Sequence, residues 1–126
     1  MKSFITSLII AIIIVSSSFF FTHSIEKTSK KLLKDNREII ELIKDDNYEK
    51  AYSLTKDMQK YVDKKKISLA VIMDHGDLDK IESGIAELES YIDHEIKPDA
   101  LAKCNTLDVI IRHMPKNYKL KIENVL

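Results

Sequence analysis

Apolar and polar positions alternate along this chain in two different ways. From Phe4 to Phe21 it reads FITSLIIAIIIVSSSFFF, eighteen residues with no charge, no Gly and no Pro. As a helix rising about 1.5 Å per residue, such a run just crosses a hydrocarbon core of about 30 Å. Beyond it, apolar residues return at spacings of three and four with charges between them, the pattern of amphipathic helices. Ile25, Leu32 and Ile39 stand seven apart, and Leu33, Ile40 and Ile43 widen their stripe, which predicts a helix from Ile25 to Asp45. Nothing between Phe21 and Ile25 breaks a helix, so the apolar run can continue straight into this one as a stalk. Asn36 lies at the inner edge of the stripe, where the plain reading is a partly exposed side chain and the functional one an Asn that sets the register of paired helices.

Asp46-Asn47-Tyr48-Glu49 predicts a turn and a new helix, with Asp46 as cap and Glu49 completing a capping-box pattern. The second helix carries Ala51, Thr55, Met58, Val62, Leu69, Ile72 and Met73, flanked by Tyr48, Tyr52 and Tyr61. Lys64-Lys65-Lys66 in its middle reads as a solvated face; three charges alone are too few to favour contact with anionic lipid. At Asp74-His75-Gly76-Asp77 the pattern breaks, with Gly76 expected to end a helix in the left-handed conformation and Asp77 to cap the next. Leu78, Ile81, Ile85, Leu88 and Ile92 then give the clearest amphipathic stripe, with Gly84 inside it as the sign of a close helix crossing. Pro98 suits the first turn of a fourth helix, whose buried stripe is Leu101, Cys104, Leu107, Ile111 and Met114 and which Pro115 is expected to end. The tail PKNYKLKIENVL is apolar enough to dock on the rest.

The expected fold is all-α: an N-terminal transmembrane helix in residues 1–24, then an antiparallel, up-down four-helix bundle in residues 25–126. A pair of tetratricopeptide-like hairpins ranks second, because Asn47 to Ala51 resembles the start of such a repeat without its remainder. Met1-Lys2-Ser3 ahead of the apolar run fits a signal peptide as well as an anchor, and Ser16 and Ser18 have the spacing of a cleavage site. Phe19-Phe20-Phe21 suit an interfacial belt better than a mature N-terminus, which favours a retained anchor in the cell membrane. The only cysteine is Cys104, so a lipid-modified N-terminal cysteine is excluded. The basic flank Lys27, Lys30, Lys31, Lys34 and Arg37 argues for a cytoplasmic domain. The very short N-terminal tail argues for the reverse, and the soluble domain is expected to be extracytoplasmic.

Charge narrows the partners. The chain balances 20 Lys+Arg against 20 Asp+Glu; the first 21 residues contain one Lys and no acid, so the remainder is close to neutral. No field of one sign is present to draw nucleic acid. The sequence has no zinc-helix pair of histidines, no EF-hand loop, no phosphate loop and no nucleophile elbow, so no cofactor, no metal and no catalysis are expected. Cys104 on an apolar stripe reads as an inert small hydrophobe. The up-down topology would gather His23, His75 and His113 at the membrane-proximal end, where the plain reading is exposed helix-end residues and the functional one a pH or metal sensor.

The short anchor, the segment DHGDLDKIESGIAELESYI and the ending KLKIENVL resemble an uncharacterised family of small, N-terminally membrane-anchored helical proteins from Gram-positive bacteria. A position that is often Trp in that family is Tyr61 here. The resemblance covers nearly the whole chain and brings no catalytic residues. Because members are often encoded beside integral membrane proteins, it implies a membrane partner. The function expected is therefore a membrane-anchored interaction or scaffold module that contacts the lipid bilayer and an integral membrane protein, or self-associates. Leu32, Ile39 and Ile43 of the stalk and Leu120, Ile122 and Leu126 of the tail are the expected contact surfaces. The alternative is an extracytoplasmic sensor holding a small ligand in a cavity lined by Tyr52, Tyr91 or Asn105.

Overall fold

The computed structural model describes residues 1–125, and the side chains of all of these except residue 72 and residues 117–125. Among the described residues four helices follow one another: α1 (Lys2–Lys44), α2 (Tyr48–Ile72), α3 (His75–Asp93) and α4 (Lys97–Val125). Turns of two or three residues join them, so successive helices run antiparallel. Each helix packs on the next, and α4 closes back onto α1. That closure makes a bundle; two stacked hairpins would leave the first and last helices apart.

The apolar run is not an extra helix ahead of four others, as the division at residue 24 implied; it runs straight into the first of them, as the absence of a breaker between Phe21 and Ile25 allows. It is the N-terminal half of α1, which continues unbroken for 43 residues. The reason is local: Thr22 donates its hydroxyl to the Ser18 carbonyl at 2.9 Å, and no Gly or Pro interrupts the ladder between the two halves.

The bundle core follows the stripes. Ile25, Leu32, Ile39 and Ile43 of α1, Ala51, Met58, Val62 and Leu69 of α2, Leu78 to Ile92 of α3 and Ala100 to Met114 of α4 are all buried on their inward faces. Each large side chain so buried contributes about 1.5–3 kcal/mol relative to exposure. Gly84 marks the close crossing of α3 and α4: a Cβ there would stand 2.7 Å from Leu107 Cδ2.

The helix ends differ from expectation at Asp46 and Gly76. α1 and α3 both stop in the Schellman arrangement, but with non-glycine residues in the left-handed position: Asp46 at φ 57° and Glu95 at φ 55°. The bonds are equivalent in the two turns, Asp46 N–H to Ile43 O and Asn47 N–H to Leu42 O, then Glu95 N–H to Ile92 O and Ile96 N–H to Tyr91 O. With Asp46 used to end α1, the cap of α2 passes to Asn47, whose side chain accepts from the Lys50 amide at 3.3 Å. Gly76 ends nothing: α2 stops at Met73 in an extended conformation, Asp74 precedes α3, and Gly76 lies in its first turn without a positive φ.

Pro115 does not end α4 either, which runs on to Val125. A proline inside a helix leaves the carbonyl four residues earlier without its amide. Here that carbonyl is Ile111 O, and the buried Ser29 hydroxyl of α1 donates to it at 2.9 Å. The neighbouring helix supplies the missing donor, so the helix survives the proline.

Candidate functional site

Two apolar features of the molecule lie outside its own core. The first is the apolar half of α1. Its apolar stretch is uncharged and has no cover within the molecule. Phe19 and Phe20 are exposed, as are the large side chains from Phe4 to Val15. Two of the hydroxyls within it are satisfied inside the helix, Thr6 to Lys2 O at 2.8 Å and Ser7 to Ser3 O at 2.9 Å. Hydrocarbon requires just this internal satisfaction of polar atoms. By length and composition this helix can cross a membrane, a test that a signal sequence also passes.

The second is the C-terminal end of α2. Ile67 is 83% exposed and Val71 74%, well above the 40% of Ile96 and 46% of Val109 elsewhere on the bundle. Both residues fall off the inward register set by Met58, Val62 and Leu69, and that offset was the signal in the sequence that could have singled them out. Beside them the α1–α2 seam carries cations on an aromatic face. The Lys31 ammonium lies 5.1 Å and the Lys65 ammonium 5.9 Å from the centre of the half-buried Tyr61 ring. Lys31 also bridges Asp35 at 2.8 Å. That hydrogen bond raises the Lys31 pKa above its ordinary value, against the opposing effect of burial.

Polar side chains also fix how α4 lies on α1. Ser29 donates to Ile111 O, Asn36 to Cys104 O at 2.9 Å, and Lys97 to Lys44 O at 3.2 Å and to the Asp46 carboxylate at 2.9 Å. A step of about two turns along α1 is answered each time by two turns back along α4. Asn36 therefore sets register as its position on the stripe suggested, between two helices of one chain, and it is fully buried.

The expected contact residues fare differently. Leu32, Ile39 and Ile43 are 0% exposed and belong to the core, so they offer no surface to a partner. An apolar stripe looks the same in sequence whether a sister helix or another protein covers it. The side chains of Leu120 and Ile122, and Leu126 altogether, lie outside the described residues. Of the residues expected around a cavity, Asn105 is exposed, Tyr91 is half-buried, and Tyr52 donates to Glu89 at 3.3 Å on the α2–α3 side.

His23, His75 and His113 lie towards the same end of the bundle and are exposed, and among the described residues no three His, Cys, Asp or Glu side chains come together to hold a metal ion. His94 sits at the opposite end, its Nδ1 2.8 Å from Ser90 O. Cys104 is buried in the core, and desolvation pushes its thiol up to about 12, far from the range of a reactive thiolate.

No curated protein and no solved structure matches the chain. The model of the family described as Domain of unknown function (DUF4363) matches residues 19–125, from the aromatic end of the apolar run through α4, and the chain belongs to that family.

Proposed function

We propose that this protein is a single-pass, membrane-anchored helical module that acts by binding, without catalysis, and that its partner is an integral membrane protein or a second copy of the chain. The observation that carries this reading is the continuity of α1. Its N-terminal half has no cover within the molecule, while its C-terminal half is one stave of a filled bundle. With no linker between them, the bundle is held rigidly over whatever the apolar half engages. The soluble part then stands at a fixed height outside the cytoplasm, as a platform for a neighbour in the same membrane. With Leu32, Ile39 and Ile43 used in the core, the apolar half of α1 is itself the favoured surface for that neighbour.

The test uses the full chain in its native membrane, with a photocrosslinking residue placed in turn at Ile9, Ile10, Ile12 and Ile13. The expected result is a chain that resists alkaline extraction with its N-terminus intact. One helical face should give a discrete protein adduct and the opposite face only lipid. Extraction into the soluble fraction, or a mature mass lacking the apolar run, would overturn the anchored reading. Lipid adducts alone from all four positions would overturn the partner.

A further inference from the structure

We propose that the last turns of α2 form a second membrane contact, in which Val71 and Ile67 enter the interfacial layer and Lys60 and Lys64 above them hold anionic lipid headgroups. This rests on the reading of α1 as a membrane anchor.

Three observations carry it. Lys60, Lys64, Ile67 and Val71 are spaced four, three and four apart, so they form a single stripe on α2, and all four are exposed. Along the helix the stripe changes from cationic to apolar. The second observation is height. The Lys31 ammonium over Tyr61 brings these two levels of α1 and α2 together. Because the helices are antiparallel, Ile67 is then level with Ile25 and Val71 with Phe21, to within a turn. Phe21 is where the apolar run ends, so Val71 stands at the edge of the hydrocarbon. At about 1.5 Å per residue Ile67 is about 6 Å further out and Lys64 about 10 Å, within reach of the headgroups for a lysine side chain. The apolar residues thus face the depth that suits them and the lysines the depth that suits them.

The third observation is charge. Lys27 and Lys30 are exposed on the adjoining part of α1 at the same height, and Lys65 lies in the seam between. This makes a basic belt on the α1–α2 side, complementary to acidic lipid. The acidic start of α3, with Asp74, Asp77 and Asp79, lies one helix further round. Asp74 lies beyond Val71 at this end of the bundle, so the contact requires the bundle to tilt towards its α1–α2 side, which lifts the acidic α2–α3 turn away from the bilayer. A lysine triplet alone did not favour lipid contact; the apolar pair beneath it at the right height does.

The chain contains no Trp, so a single Trp reports its own depth. Four full-length variants, Ile12→Trp, Ile67→Trp, Val71→Trp and Ile96→Trp, are placed in vesicles of phosphatidylcholine and phosphatidylglycerol, with and without bromine on the acyl chains. The V71W emission is expected to shift to the blue and to be quenched by bromine nearly as strongly as I12W, I67W less, and I96W, at the far end of the bundle, not at all. Replacing phosphatidylglycerol by phosphatidylcholine, or adding Lys60→Gln with Lys64→Gln, should lower the V71W quenching and leave I12W unchanged. If I12W is quenched while V71W and I67W behave like I96W, this inference falls and the anchor stands. If I12W is not quenched, the anchor reading falls and this one with it. A V71W emission that is blue-shifted but insensitive to bromine would assign the stripe to a protein neighbour and overturn the lipid assignment.

Discussion

Removing the Ser29 hydroxyl tests whether a side chain on α1 keeps α4 helical past its proline. Ser29 and Ile111 are both buried, and their hydrogen bond is 2.9 Å long. Ser29→Ala leaves the Ile111 carbonyl without a donor, since Pro115 has no amide to offer. An orphaned buried carbonyl costs about 1–3 kcal/mol. Against this stands the better helix propensity of Ala, about 0.5 kcal/mol. The net loss expected is about 1.5 kcal/mol, or about 6–12 °C in Tm for a bundle of this size. Pro115→Ala changes the sum, because the amide restored at position 115 reaches Ile111 O within α4. In that background Ser29→Ala should cost less than about 0.5 kcal/mol, since one donor already serves the carbonyl and the propensity gain remains.

The assay is thermal and denaturant unfolding of the full chain in detergent micelles, followed by far-UV circular dichroism, for the wild type, the two single variants and the double variant. The propensity gain is common to both backgrounds and cancels in the cycle, so the coupling isolates the shared carbonyl. A coupling of about 1–2 kcal/mol between these two positions is the expected result. An equal cost of Ser29→Ala with and without Pro115 would refute the reasoning, and so would a fall in helicity of Pro115→Ala.

Asn36→Leu should raise stability by about 1 kcal/mol, because Asn36 Oδ1 is buried without a hydrogen-bond partner and Cys104 O keeps its own helical amide when the Asn is removed; denaturant midpoints compared with Asn36→Ala, which should fall, decide it. Glu95→Gly should stabilise by about 0.5–1 kcal/mol, read as a rise in Tm, since Glu95 holds a left-handed φ that costs an L-residue and not glycine. Cys104 stabilises the fold only while its thiol is protonated. Its folded pKa is raised from 9.0 to about 12, so this contribution is whole below about pH 9 and is lost as pH climbs towards 12, because the unfolded chain releases the proton first. Between pH 9 and 10 the wild type should lose about 1 kcal/mol more than Cys104→Ala does, in paired denaturant titrations.

What could be read in the chain beforehand was what depends on near neighbours in sequence. The stripe Leu78, Ile81, Ile85, Leu88, Ile92 became a core face because period alone decides which side of a helix is apolar. The breaks near Asp46, Asp74 and Lys97 were visible as turn chemistry, and Gly84 as a close crossing, since a missing side chain has few other uses inside a helix. The misreadings differ in cause: one was settled by a residue far along the chain and one by the end of the preceding helix. Pro115 reads as a stop until Ser29 is brought to Ile111 O by the closure of α4 on α1. Asp46 reads as a cap until the end of α1 claims it for a left-handed turn.

Leu32, Ile39 and Ile43 read equally well as a docking stripe and as a core stripe, and only the presence of the other three helices separates the two. Once those stripes are assigned inward, the remaining apolar residues acquire meaning by subtraction. Ile67 and Val71 cannot be satisfied by any helix of the bundle, and the antiparallel register lowers them to the level where α1 becomes wholly apolar. The outward residues that a filled core leaves over, taken with the height at which the fold holds them, are therefore the part of this molecule that points away from itself, and it is on them that the proposed membrane contact rests.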